Sequence, residues 1–426
     1  MKIKIVSICL LPVLLMGSCK KWIDVKPSDR LAEDQLFSTT KGYLNALNGV
    51  YVEMTNAAIY GEHMSVSSLD AMASYYYITS STHRFFDQAT LAYSSANMMT
   101  VFDNMWKKSY ELIINCNVII EQCGETSNEL LPGTYFGMVK GEAFALRAML
   151  HLDMLRVFGP IYSQANKDKP CIPYNTSSRP EVSPLLSSEE IMKHVIDDLT
   201  EAIALLKDAD PIITEGVRHG ANPNGANDMY YRQYRINYYA AKALLARAYL
   251  WKQDKEKALQ EAQQILTAVL NPAKPIFKIG ITPLSMPPAT AADYDHLITT
   301  EVMFSLYTLN RQNIYTNFFS PDVATKDRLS FNNNNNDPQK KTALYDDQND
   351  VRLKAWVSLT TTTNTFLTHV KFGVTTYSPG PNMMPLIRLS EIILMAAECS
   401  NTIAEGTQYL NMLRTGRSCV SLSPTT

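Results

Sequence analysis

The sequence predicts a mostly α-helical protein in which tetratricopeptide-like helix pairs stack into a superhelical single domain, with a loop-rich region carrying short β-strands. Three observations lead there. Apolar residues recur at three- and four-residue steps through much of residues 31–270, the period of one face of an α-helix. Two segments, Tyr238–Leu270 and Arg388–Arg414, each read as two short helices joined by a tight turn. Such units bury their faces only by stacking on others. Between them, residues 271–385 lose the helical period. That stretch holds Pro287-Pro288, the run Asn332–Asn336 and alternating pieces at Val302–Leu309 and Phe366–Phe372, the marks of short strands and long loops.

The elements follow in order. Lys2 and Lys4 precede an apolar run of 12 residues, Ile5–Met16, and then Gly17-Ser18-Cys19. A spanning helix needs about 20 apolar residues, so the run fits a signal-peptide core. Small residues directly before a Cys form a lipoprotein cleavage site, with Met16 standing where Leu is usual. Residues 1–18 are therefore expected to be removed and Cys19 to be acylated, anchoring the chain to a membrane. Lys20–Arg30 is a polar tether. Thr39-Thr40 opens a helix striped by Tyr43, Leu47, Val50, Tyr51 and Met54, as Thr is a good N-cap. The pattern lapses from Gly61 to Met99. A second helix carries Phe102, Trp106, Tyr110 and Ile113; a third carries Val139, Ala143, Leu146, Leu150, Met154 and Val157 and stops at Gly159-Pro160. Residues 160–186 hold five prolines and read as an extended connection. Ser187 and Glu190 form a capping box for a helix striped by Ile191, Val195, Leu199, Ile203 and Leu206. In Tyr238–Leu270, Leu245, Ala246, Tyr249 and Ala258 take the tetratricopeptide positions, where small residues let two helices approach.

Composition narrows the function. Lys and Arg number 39 against 41 Asp and Glu, which excludes the basic excess of an electrostatic nucleic-acid binder. Five cysteines follow Cys19 at irregular spacing, so no disulfide framework is implied. Cys116 and Cys123 share a helix face but stand about 10 Å apart at 1.5 Å of rise per residue, and are expected to be buried free thiols. No CxxC or HExxH occurs, so neither a metal nor a cofactor is expected. G-x-S-x-G, P-loop and G-x-G-x-x-G signatures are missing too. The acidic pairs Asp197-Asp198 and Asp346-Asp347 are expected on the solvated surface, and Glu189-Glu190 in a helix first turn, where acids favour the dipole.

An ordered series of residues resembles the SusD/RagB family of surface lipoproteins. It begins at Cys19 and Asp24-Val25-Lys26-Pro27-Ser28-Asp29, and continues through Phe37, Leu47-Asn48-Gly49-Val50-Tyr51, Trp106, Tyr110 and Asn117. Ala143–Ala148, Leu155–Gly159, Asp198-Leu199, Ala241–Arg247, Ile387–Glu391 and Ala397-Glu398 complete it. Near the end, Asn411 and Arg414 fit the family's Asn-x-x-Arg, whereas Gly416-Arg417 departs from its Arg-Ala-Gly. The sequence stops at Thr426, where relatives continue.

The resemblance implies a non-catalytic binding protein in the outer membrane, exposed at the cell surface. It would capture an oligosaccharide or a peptide and deliver it to a SusC-like TonB-dependent transporter. It also implies one domain over residues 19–426: a helical body at 31–270, a ligand-facing region at 271–385 and a closing helix pair at 386–426. A lipid-anchored scaffold for a protein partner and a surface hydrolase are the competing readings. Ligand capture calls for aromatic faces beside amides and guanidinium groups. The candidates are Tyr75, Tyr77, Arg84, Phe86 and Asn97 in the first irregular stretch, and Tyr315 and Phe318 in the second. Trp106, Tyr110 and Phe158 lie on or beside helix stripes and are expected to be structural.

Overall fold

Helices begin where a side chain can take up their unpaired N–H groups. The Thr39 hydroxyl accepts from Gly42 N–H at 3.1 Å and opens α1, Thr40–Glu53. Two short helices, α2 at Ser68–Met72 and α3 at Phe86–Ala89, punctuate the stretch where the sequence pattern lapses. Ser95 caps α4, Ala96–Cys123, and α5 runs Gly133–Phe158 before ending at Gly159. The Ser187–Glu190 capping box forms at the start of α6, Ser188–Lys207. After the short α7, Ile212–Glu215, Asn237 caps α8, Tyr238–Trp251, and Asp254 caps α9, Lys255–Val269. The irregular region contributes α10, Arg311–Phe318, and the chain closes with α11, Leu389–Cys399, and α12, Ile403–Gly416. The computed structural model describes residues 33–179, 181–218, 227–280, 295, 297–331, 343–360, 365–373 and 380–424. The leader, Cys19, the tether with Asp24–Asp29, Pro287-Pro288, Tyr294 and the run Asn332–Asn336 lie outside these residues.

The long helices stack in sequence: α4 on α5, α5 on α6, α6 on α8, α8 on α9, α9 on α11 and α11 on α12. This is the expected superhelical series of α-hairpins, and one apolar core runs through it from Phe37 to Leu413. Helix α5 is its axis, buried nearly all round, as a helix covered on every side must be. Gly137 and Gly141 admit α6 against it. A Cβ at Gly137 would stand 2.7 Å from the Leu205 carbonyl oxygen, and one at Gly141 2.9 Å from Leu206 Cγ. Cys116 and Cys123 are buried free thiols as expected, and burial pushes both up to about 12.

Among the described residues three antiparallel strand pairs edge the helices: β1 (Pro170–Ile172) with β2 (Leu186–Ser187), β3 (Val302–Tyr307) with β6 (Met383–Arg388), and β4 (Trp356–Thr360) with β5 (Thr365–His369). The pattern around β3 suggested alternation, but Val302 to Leu306 are all buried. The strand is covered on both faces, and even Ser305 is taken in, donating to the Gln233 carbonyl at 3.2 Å.

Two expectations are corrected. In α4 Ile113 is buried as expected, but otherwise the buried stripe is Met98, Val101, Met105, Leu112, Cys116 and Ile119, one position out of phase with Phe102, Trp106 and Tyr110. Those three are half-buried aromatics packed at the core's edge; the Trp106 ring lies 4.6 Å from Tyr110 and edge-on to Phe158 at 5.0 Å. Asp198 is not on the surface either. It accepts two hydrogen bonds from Arg147, both at 2.7 Å, and one from Tyr174 at 2.5 Å, while Arg147 also reaches Asn117 at 2.9 Å. A second node holds Arg232 between Asp210 and Glu142, with the Tyr51 hydroxyl on Glu142 at 2.6 Å. A third, Arg247 bidentate to Glu391 at 2.7 and 2.8 Å, ties α8 to α11. Buried charges persist when paired and hydrogen-bonded in this way.

Candidate ligand-binding site

The two irregular stretches meet. Tyr77 N–H donates to the Ser330 carbonyl and Arg84 N–H to the Lys326 carbonyl, both at 2.8 Å. His83 Nε2 contacts the Arg328 carbonyl at 3.1 Å. Beneath these backbone ties the Phe85 ring packs on Phe318 at 5.8 Å, and Tyr76 on Phe319 at 6.1 Å. The loop of residues 75–86 is therefore docked along the segment that follows α10.

Beside this junction a cleft of about 410 Å³ opens between the turn after α1, the β3–β6 strand pair and α10. Its polar lining is unusually rich in amides: Asn56, Asn310, Asn313 and Asn317. The last three stand at helical spacing at the head and along one face of α10. Their side-chain amides make no hydrogen bond among the described residues, so each offers a donor and an acceptor to the cleft. Thr55 and Thr308 add hydroxyls, and Glu53 and Glu62 add carboxylates. Both acids are held. Glu53 pairs with Lys108 at 2.9 Å and Glu62 with Arg84 at 2.9 Å. Burial pushes the Glu62 carboxyl up from its ordinary range, while Arg84 acts against the rise. The Arg84 guanidinium lies over the rings of Phe85 and Phe318, at 5.1 and 5.3 Å, as a half-exposed cap.

The sequence candidates are thus dispersed. Arg84 does not line the cleft but caps two residues that do, Glu62 and Phe318; Phe318 is 1% exposed and forms the cleft's buried floor rather than a stacking face. Tyr77 is exposed on the docked loop. Tyr75 is turned away, half-buried edge-on to Phe331 at 5.0 Å. Phe86 opens α3, and Asn97, at the start of α4, donates to Asp87 at 3.3 Å; neither lines the cleft. Tyr315 is partly buried against the core. The residues missed are the α10 asparagines. Their three- and four-residue spacing was present in a stretch that reads as irregular because its apolar stripe is short. A larger groove, with lobes of about 630 and 950 Å³, runs past Arg156, Trp251 and the Arg247–Glu391 pair. Of the candidates, none reaches it.

Fold and cleft together define a class: a tetratricopeptide-like helical body whose polar cleft is built on long inserted loops. The family model described as SusD-like, "Starch-binding associating with outer membrane", matches residues 21–215. SusD-like proteins P38 and P2 of Formosa agariphila are 25% and 26% identical over 211 and 274 residues, 47% and 62% of this chain. Those matches span 37% and 46% of the two relatives, under half of their length. A SusD superfamily structure from Bacteroides thetaiotaomicron shares the fold at a TM-score of 0.69 and 20% identity, covering 91% of this chain and 83% of its own. A putative sugar-binding protein from Bacteroides vulgatus does so at 0.67 and 21%, covering 89% and 78%. The family model over residues 21–215, the named relatives and the shared fold all make this chain similar to the SusD/RagB family.

Proposed function

We propose that the protein is a lipid-anchored, cell-surface carbohydrate-binding protein that holds an oligosaccharide in the asparagine-lined cleft and passes it to a SusC-like TonB-dependent outer-membrane transporter. The observation that carries the ligand class is the set of unengaged amides on α10 facing Thr55, Thr308 and Glu62 across a loop-built cleft. Sugar hydroxyls both donate and accept, and primary amides answer both needs in one side chain. The Arg84 cap over Phe318 gives one end of the cleft a flat, charged rim. Membrane attachment through Cys19 and the transporter partner are supported by the lipoprotein-type leader and by the family description of association with the outer membrane. A single domain from Cys19 onward is supported by the continuous core. Capture without hydrolysis fits the pairing of both cleft carboxylates with cations, Glu62 with Arg84 and Glu53 with Lys108.

Glycan and peptide arrays probed with the full mature chain come first, followed by calorimetry on the best oligosaccharide. Asn313→Ala with Asn317→Ala should weaken that binding at least tenfold, about 1.4 kcal/mol. The melting temperature should hardly move, because both residues are exposed. Binding of peptides alone, unchanged affinity in the double variant, or new reducing ends released from the glycan would each refute the reading.

A further inference from the structure

Behind Tyr75 a separate cavity of about 230 Å³ is lined by Tyr75, Asp295, Tyr345, His369, Lys371 and Arg388, with Arg352 and Arg417 completing its wall. Its charges are unequally matched. Arg417 is held by Glu301 at 2.5 and 2.6 Å, and Arg352 by Asp350 at 2.6 Å. The Asp295 carboxylate is spent on the Thr299 N–H at 2.7 Å, the Thr299 hydroxyl at 2.9 Å and the Leu297 N–H at 3.2 Å. Arg388 donates to the Leu297 carbonyl at 2.5 Å and makes no ion pair among the described residues. Lys371 has no carboxylate within ion-pair distance there either; its ammonium lies 5.1 Å from the Phe372 ring centroid. Two cations thus share a small cavity with no carboxylate at ion-pair distance among the described residues, Glu301 and Asp295 acting on Arg388 and Asp70 on Lys371 from farther off, and a desolvated cation is costly to leave unpaired.

We propose that this cavity is the seat of an oxyanion, the carboxylate or sulfate of an acidic sugar, held between Lys371 and Arg388 with Tyr75 and Tyr345 beside the ring. The sugar part rests on the carbohydrate reading above; the oxyanion part rests on the cavity alone. Size fits one charged sugar unit rather than a chain, since pockets for larger ligands begin near 300 Å³. Tyr75 keeps its place as a ligand contact, but here rather than in the cleft. Burial first and then Arg388 push the Lys371 ammonium down to about 7, against Asp70, which raises it, and with a smaller push from Arg311. His369 on β5 and Asp295 complete the groups around it. An anion would stabilise the charged form, so binding should weaken as pH rises from 6 to 8.5 and the free ammonium loses its proton.

Calorimetry on the full mature chain in chloride buffer, with sodium glucuronate, glucose 6-sulfate, glucose and inorganic sulfate as probes, tests this. Both acidic sugars should bind and glucose should not, with affinity falling several-fold from pH 6 to pH 8.5. Lys371→Met should cost at least tenfold with no loss of thermal stability, and Lys371→Arg should keep part of the affinity with a flatter pH profile. Sulfate binding as tightly as the acidic sugars would overturn the sugar part and leave a simple oxyanion seat. Absence of binding by every charged probe, or equal binding by Lys371→Met, would overturn the whole. If the array oligosaccharide still binds in the cleft of Lys371→Met, a failure here leaves the cleft reading intact. Glucuronate binding without any array ligand would do the reverse.

Discussion

Adjacent acids on α6 offer a direct test of how the body is held. Asp197 lies on the surface with Lys193 at 2.6 Å, their side chains 54% and 71% exposed. Asp198, one residue on, turns inward to Arg147, the pair only 11% and 7% exposed. An exposed pair contributes about 0–1 kcal/mol because water already solvates both charges. Removing one partner of a buried pair costs about 3–5 kcal/mol, because the remaining charge is stranded in a poorly polarisable interior. In Asp198→Asn the new amide can accept from one guanidinium N–H, but its own NH₂ then faces the other. Tyr174 also loses a charged acceptor at 2.5 Å. Asp197→Asn should therefore shift the urea midpoint barely, and Asp198→Asn by the equivalent of about 3 kcal/mol or more. Tryptophan fluorescence of the soluble mature chain reads both. Replacing the pair together, Arg147→Met with Asp198→Leu, should recover much of the loss, as apolar substitutes for buried ion pairs often do. A difference between the two Asn variants below about 1 kcal/mol, the surface value, would refute the buried node.

Two further outcomes are expected. Leu146→Ala and Leu245→Ala, at side chains 0% and 6% exposed, should each cost about 2–5 kcal/mol in the same unfolding assay; losses under about 0.5 kcal/mol at both would mean the helices do not stack there. Cys19→Ala should release a folded protein from membranes of cells lacking the transporter, since a lipid chain contributes about 0.8 kcal/mol per buried CH₂; retention in the membrane fraction would refute lipid anchoring.

The helical body was legible because burial in it is one-sided and periodic. Thr39, Ser187 and Asn237 cap helices that begin where the apolar stripes do, and the pair in Tyr238–Leu270 follows from small residues at close-approach positions. The stripe of α4 was misphased because aromatics dominate a hydrophobic count. Phe102, Trp106 and Tyr110 are large enough to pack from the helix flank, while Met105, Ser109 and Cys116 hold the centre. Asp198 was misread for a different reason. Two adjacent acids look alike in sequence, and only the partner decides their fate; Arg147 is 51 residues away. The cleft was half legible. Of the candidates read from residue chemistry, Phe318 lines the cleft, as its buried floor, and Arg84 lies over it. The asparagines of α10 were missed because an eight-residue helix with a polar outer face has too little apolar signal to show its period.

The residues that carry the family resemblance and those that line the cleft are different sets, and the structure shows why. Asn117, Arg147 and Asp198 come from three separate matching segments and converge on one buried node. Arg247 and Glu391 come from two others and converge on the tie between α8 and α11. Each of these requires a particular partner at a fixed distance, so the segments that supply them are constrained together. The cleft has no such requirement: Asn313 and Asn317 contact nothing that must be matched elsewhere in the body. A rigid scaffold carrying variable loops is how binding sites are commonly re-specified. The likeness to SusD-like relatives therefore speaks for the helical body, while α10, Arg84 and Lys371 behind Tyr75 lie outside the segments that carry it. A TM-score of 0.69 at 20% identity shows that the fold is shared where most residues differ.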